Sequence, residues 1–269
     1  MKPDISEFSY GFALTDELIH WHGLNLTAAP VFPSLFQEGQ PGGGYDVRLD
    51  RPGMPLFIQF KLSHKMKRRS AVEAKRGLLK VPFYRMHLRP ARHSSQHEML
   101  IDLEQLGQEV YYSAPAFHTP QELNEAYLKH EVKIKSLWIK PSVIGALPDD
   151  GEHHVAFRLD APPPHICSEP RRLDSSGSFE EFQGNVIGAF RKASEFGLHK
   201  ENLLRVASAM TDIAEKHRHI AFASKRLSQR VLEERTPLER VAFYSHVFLD
   251  CQLFVVQERD LGKKAGLRR

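Results

Sequence analysis

Cysteine is almost missing from this chain. Two residues among 269, Cys167 and Cys251, stand at no CxxC spacing, which excludes a disulfide framework and argues against a structural zinc site built on thiolates. No apolar run approaches the length needed to cross a bilayer. The first residues, MKPDISEFSYGF, lack the basic start and apolar core of a secretory leader. A cytoplasmic protein with no membrane partner is therefore expected. There is no glycine-rich phosphate loop of the Walker type, no internal repeat and no heptad pattern long enough for a coiled coil. A large charge excess is absent as well, since 37 Lys and Arg against 33 Asp and Glu leave a formal charge of +4, so the whole molecule is not a polycation.

What is present is ordinary in amount and uneven in placement. Hydrophobic residues make up 41% and charged residues 26%, the balance of a globular protein with a sizeable core. The positive charge is concentrated. His64, Lys65, Lys67, Arg68, Arg69, Lys75, Arg76 and Lys80 follow one another closely, and Arg85, Arg89 and Arg92 come soon after. Such a cluster suits a polyanion such as nucleic acid.

Just ahead of it lies the stretch that organises the reading, residues 42–61, GGGYDVRLDRPGMPLFIQFK. Two alternating apolar runs, 45–49 and 56–60, flank a turn of Asp50, Arg51, Pro52 and Gly53, the pattern of a β-hairpin. Side chains alternate faces along a strand, so Gln59 and Lys61 share one, and Asp46 on the partner strand can be turned toward them. A carboxylate and an amide oxygen are hard ligands suited to Mg²⁺. A lysine beside them can orient or deprotonate an attacking water and stabilise charge developing on phosphate oxygens.

The spacing of Asp46 from Gln59-x-Lys61 resembles the PD-(D/E)XK nuclease superfamily. Most members carry an acid where this chain has Gln59, and the glutamine is similar to the variant of Mrr-type restriction endonucleases. The succession of elements agrees: helix, strand, hairpin, helix, strand over about the first half of the chain. The resemblance implies an α/β fold with a restriction-endonuclease-like core of helix, mixed central sheet and helix, and with a mainly helical C-terminal part. It also implies Mg²⁺ or Mn²⁺ as cofactor and DNA as substrate, with roles in restriction or anti-phage defence. Asp46, Gln59 and Lys61 would be catalytic, and members commonly bring a further Glu from the first helix to the metal, a place that Glu7 or Glu17 could take. Glu38, just ahead of the glycines 42–44 that deliver Asp46, is another candidate ligand.

The remaining chain is read as follows. Residues 6–21 form one or two helices with Phe8, Phe12, Leu14, Leu18, Ile19 and Trp21 on the apolar side, and 31–36 read as a short strand. Residues 83–88 form a strand. Ser94 and Ser95 open a helix ended by Gly107, and Gln96 and His97 at its start could touch phosphate, as anions favour a helix N-terminus. With Lys65, Lys67, Arg68 and Arg69 they form the expected nucleic-acid contact. Residues 109–114 are a buried strand, Thr119 and Pro120 open another helix, and 134–139 and 153–157 are strands. His153 and His154, facing opposite ways, are not expected to share a metal. The Pro- and Ser-rich stretch 161–178 reads as a linker between a nuclease-like domain, 1–160, and a helical region, 179–269, in which 251–256 is strand or continued helix. Those helices are expected to meet a partner subunit, a second copy or DNA. The alternative expectation is a nuclease-like binding or scaffold subunit that has lost its chemistry, which Gln59 favours.

Overall fold

A computed structural model of the chain describes residues 1–21, 24–26, 53–161, 163–167, 170–195, 200–217 and 237–258. They form a mixed α/β fold around two five-stranded sheets. The first sheet runs in the order β1 (Leu24–Leu26), β10 (Gln252–Glu258), β2 (Met54–Phe60), β5 (Glu109–Pro115) and β6 (Ser136–Ile139). Only β2 and β5 are parallel; every other neighbouring pair in it is antiparallel. Parallel neighbours need a long crossover, and here it runs through two strands of the second sheet and two helices. That sheet orders β3 (Ser63–Met66), β4 (Phe83–Leu88), β7 (His153–Phe157), β8 (His165–Ile166) and β9 (Arg171–Arg172), all antiparallel.

The first sheet is covered on both faces, which is why β2 reads MPLFIQF with hardly a polar residue. Phe57, Val110, Tyr112, Leu253 and Val255 face one core, completed by α3 (Gln96–Gln105), α7 (Lys200–Lys216) and α8 (Pro237–Val247). Leu56, Ile58, Tyr111, Trp138 and Phe254 face the other, closed by α1 (Glu7–Ile19), α4 (Pro120–Leu128) and α6 (Phe179–Glu195). There the Trp138 and Phe182 rings stack with centroids 4.1 Å apart. Met86, Leu88, Val155, Phe157 and Ile166 of the second sheet join the first core. Its opposite face carries Phe83 and Ala156 against Ala71 and Leu79, which bracket the short α2 (Val72–Lys75).

Three expectations are corrected. Strand β2 is bordered over residues 56–58 by the remote strands β10 and β5, and residues 45–49, the other arm of the expected hairpin, lie outside the described residues. Residues in 161–178 form β8 and β9 and bury Leu173, so the stretch is woven into the second sheet. The described part of 179–269 is mainly helical, as expected, and of the two alternatives for 251–256 the strand holds: β10 pairs with β1 and β2. Finally, α1 is one helix, but Phe8 and Phe12 are 75% and 62% exposed; the buried stripe is Tyr10, Ala13, Leu14 and Leu18, at helical spacing. No helix among the described residues is long and apolar enough to cross a membrane.

Candidate active site at the end of the central strand

Helix α1 is pinned to the end of β2 by two local features. A Cβ at Gly11 would come within 2.7 Å of the Phe60 ring, so glycine is what allows the helix backbone so close. One position earlier, the buried Tyr10 hydroxyl meets the Ser113 and Ser136 hydroxyls, each at 2.8 Å, tying α1 to β5 and β6. Ser6 caps the helix by accepting from the Ser9 amide at 3.0 Å. Glu7, the first helical residue and one turn before Gly11, is thereby set at the end of the sheet where β2 finishes.

Gln59, the last residue but one of that strand, is fully buried. Its Nε2 donates to the Leu249 carbonyl at 3.4 Å, and Gln96 Nε2 donates to the same oxygen at 2.8 Å. One backbone carbonyl thus joins β2, the start of α3 and the turn between α8 and β10. The next residue in that turn, Asp250, has φ +50°, a left-handed conformation that Asp tolerates better than most residues. The antiparallel register places Gln252 opposite Ile58, so Asp250 enters at the end where β2 stops. Its Oδ2 accepts from Arg89 at 3.2 Å. The Lys61 amide continues the ladder to the Ser113 carbonyl at 2.8 Å, and its side chain is buried.

The charges here are poorly satisfied. Burial lowers the Lys61 ammonium below its ordinary value, with Glu7 and Asp250 pulling the other way and Arg89 reinforcing the fall. Burial raises the Glu7 carboxyl, Asp250 adds to the rise, and Lys61 and Arg89 oppose it. Among the described residues neither Glu7 nor Lys61 makes a direct ion pair or a side-chain hydrogen bond. Gln59 Oε1 is buried with no hydrogen-bond partner, a vacancy that native interiors seldom tolerate without reason. Two carboxylates and an orphaned amide oxygen are the donor set of a hard divalent cation, Mg²⁺ or Mn²⁺.

Asp46 and Glu38 lie outside the described residues. Glu17 is corrected: buried, it accepts from the backbone amides of Val132 and Lys133 at 2.8 and 3.0 Å and from Lys133 Nζ at 3.2 Å, so it secures the segment before β6. His97 is corrected too. Its Nδ1 meets the Tyr112 hydroxyl at 3.0 Å and its Nε2 the Gly145 carbonyl at 2.8 Å, leaving no nitrogen for a ligand. Gln96 is buried as well and acts inward on Leu249. Lys65 pairs with Glu122 at 2.7 Å, whereas Lys67, Arg68 and Arg69 are exposed.

Asp250 escaped the sequence reading, and Arg89 entered it only as part of the basic cluster. The one local signal for Asp250 is an acid directly before the apolar run CQLFVV. No protein-family model, curated protein or solved structure matches the chain.

Proposed function

We propose that the chain is a divalent-metal-dependent nuclease that hydrolyses DNA phosphodiester bonds at the end of β2, within a restriction-endonuclease-like core. The observation that carries this reading is the meeting of Glu7, Gln59, Lys61 and Asp250. They come from a helix, a central strand and a distant turn, and burial disfavours the charged forms of Glu7 and Lys61. Glu7, Asp250 and the free Gln59 oxygen would hold Mg²⁺ or Mn²⁺, which when bound polarises a phosphoryl oxygen and makes water more acidic. Lys61, with its proton affinity reduced by burial, takes the proton of the attacking water or orients it. Gln96 fixes the Leu249 carbonyl and with it the turn that presents Asp250. Exposed Lys67, Arg68 and Arg69 bind the sugar-phosphate backbone.

The strand arrangement favours the same reading. Strand β10 runs antiparallel beside β2, as a hairpin arm would, and β5 lies parallel on its other side. DNA as substrate and a place in restriction or anti-phage defence rest on the resemblance to PD-(D/E)XK nucleases and form part of the proposal. Gln59 in place of an acid favours a second reading, a nuclease-like scaffold that binds nucleic acid without cutting it.

Incubating the chain with supercoiled plasmid, linear duplex and single-stranded DNA in Mg²⁺, in Mn²⁺ and in chelator tests the proposal. Cleavage that needs the ion and disappears in Asp250→Asn supports it. Absence of cleavage on every substrate, or cleavage undiminished in Asp250→Asn, rejects it, and DNA binding without cleavage selects the scaffold.

A further inference from the structure

The outer face of the second sheet gathers a different set of side chains around α2. Glu73 of α2 is buried, and the Arg85 guanidinium grips both its oxygens, at 2.8 and 2.5 Å. His154 Nε2 meets Glu73 Oε1 at 2.7 Å. Cys167, which follows β8, hydrogen-bonds through its amide to the His154 carbonyl at 3.1 Å, and this holds its thiol beside the same group. One ligand atom each from Glu73, His154 and Cys167 lies within 4.8 Å of the others. His87, directly opposite His154 in the β4–β7 register, has its ring centroid 5.5 Å from that of His154, and His64 stands 4.5 Å beyond.

We infer that Glu73, His154 and Cys167 form a binding site for a borderline-soft divalent cation of the zinc class, with His87 beside it as a further nitrogen donor. Nitrogen, thiolate sulfur and carboxylate oxygen are the ligand types zinc selects, and they suit Mg²⁺ badly. An independent feature points the same way: His87 Nε2 is buried and has no hydrogen-bond partner, although it lies next to two imidazoles and a carboxylate. Arg85 keeps the Glu73 carboxylate fixed and ionised, the role that outer hydrogen bonds play around metal ligands. The ion would clamp α2, β7 and the residue after β8 together. The sequence concealed this site because its ligands sit at unrelated spacings; His154 and not His153 takes part, since adjacent strand residues face opposite sides.

Binding must displace the Cys167 proton to solvent, because the thiolate is the ligand. A thiol is protonated at neutral pH, so affinity should rise with pH across the neutral range, the signature of one released proton. The test is a Co²⁺ titration of the chelator-treated full chain, read by thiolate-to-metal charge-transfer absorption. One equivalent should develop the band and Zn²⁺ should bleach it. Cys251→Ser should keep it, Cys167→Ser should lose it, and His154→Ala should weaken Co²⁺ binding at least about tenfold. No band in the wild type, or a band that survives Cys167→Ser, overturns the site. Should Cys167→Ser misfold, alkylation of Cys167 in the wild type decides: slowing by Zn²⁺ supports the site, and an unchanged rate overturns it.

Discussion

Glu7 and Glu73 are both carboxylates drawn into the protein beside a cation, yet their environments push them in opposite directions. At Glu73 burial would raise the carboxyl, but hydrogen bonds from Arg85 and His154 outweigh it and hold it down to about 2. At Glu7 burial wins and the carboxyl is raised, with Lys61 and Arg89 opposing it from a distance and no side-chain partner among the described residues. The first arrangement is a completed ion pair and helps hold the second sheet to α2. The second is an unfinished one. Side chains left unsatisfied in this way destabilise the fold and are kept where function needs them. A bound cation would complete the arrangement at Glu7.

The sharpest way to break this contrast is Lys61→Met. Cleavage should fall roughly 10²–10⁴-fold, the range for loss of a positioned proton acceptor, while circular dichroism and thermal melting show an intact fold. A cutting rate equal to wild type would remove Lys61 from the chemistry. Next in size is Arg85→Met. It strands a buried carboxylate, which costs about 3–5 kcal/mol, so Tm should drop on the order of 10 °C. A melt within a degree or two of wild type would show that the Glu73 pair is not structural.

Glu7→Gln should act in the other sense and raise Tm at neutral pH by about 2–4 °C, roughly 1 kcal/mol, while cleavage is lost. The sign follows from the raised carboxyl: above its folded-state value the carboxylate is disfavoured in the native protein, and below the ordinary 4.5 both states are protonated and the difference vanishes. Glu73→Gln should show the reverse. Its wild-type stabilisation is present above 4.5 and is lost as pH falls from there toward 2. Melting curves of the two variants across acid pH therefore move apart from wild type in opposite directions. Parallel curves would erase the distinction. The smallest effect is expected from Lys67, Arg68 and Arg69 replaced together by Ala, which should weaken DNA affinity and lower the salt slope without changing the melt.

Much of the site was legible because it is written locally. Gln59 and Lys61 are two residues apart on one strand, the Ser6 cap announces the helix that begins with Glu7, and β5 follows α3 at short range. What escaped is set by distance along the chain. The Gln59 side chain meets the Leu249 carbonyl across 190 positions, and no local pattern specifies that β10 will insert between β1 and β2. A hairpin was expected because the nearest apolar run is entropically the cheapest partner; burial on both faces of β2 selected a remote one. The choice between Glu7 and Glu17 was likewise undecided by helix periodicity. The backbone amides of Val132 and Lys133 take Glu17, which removes it from the candidates.

Titration calorimetry with Mn²⁺ asks the central question directly, whether the end of β2 binds a hard divalent cation through Glu7, Asp250 and Gln59. The account predicts binding by the wild type and affinity weakened at least about tenfold in both Glu7→Gln and Asp250→Asn. Equal Mn²⁺ affinity in the wild type and both variants would contradict it.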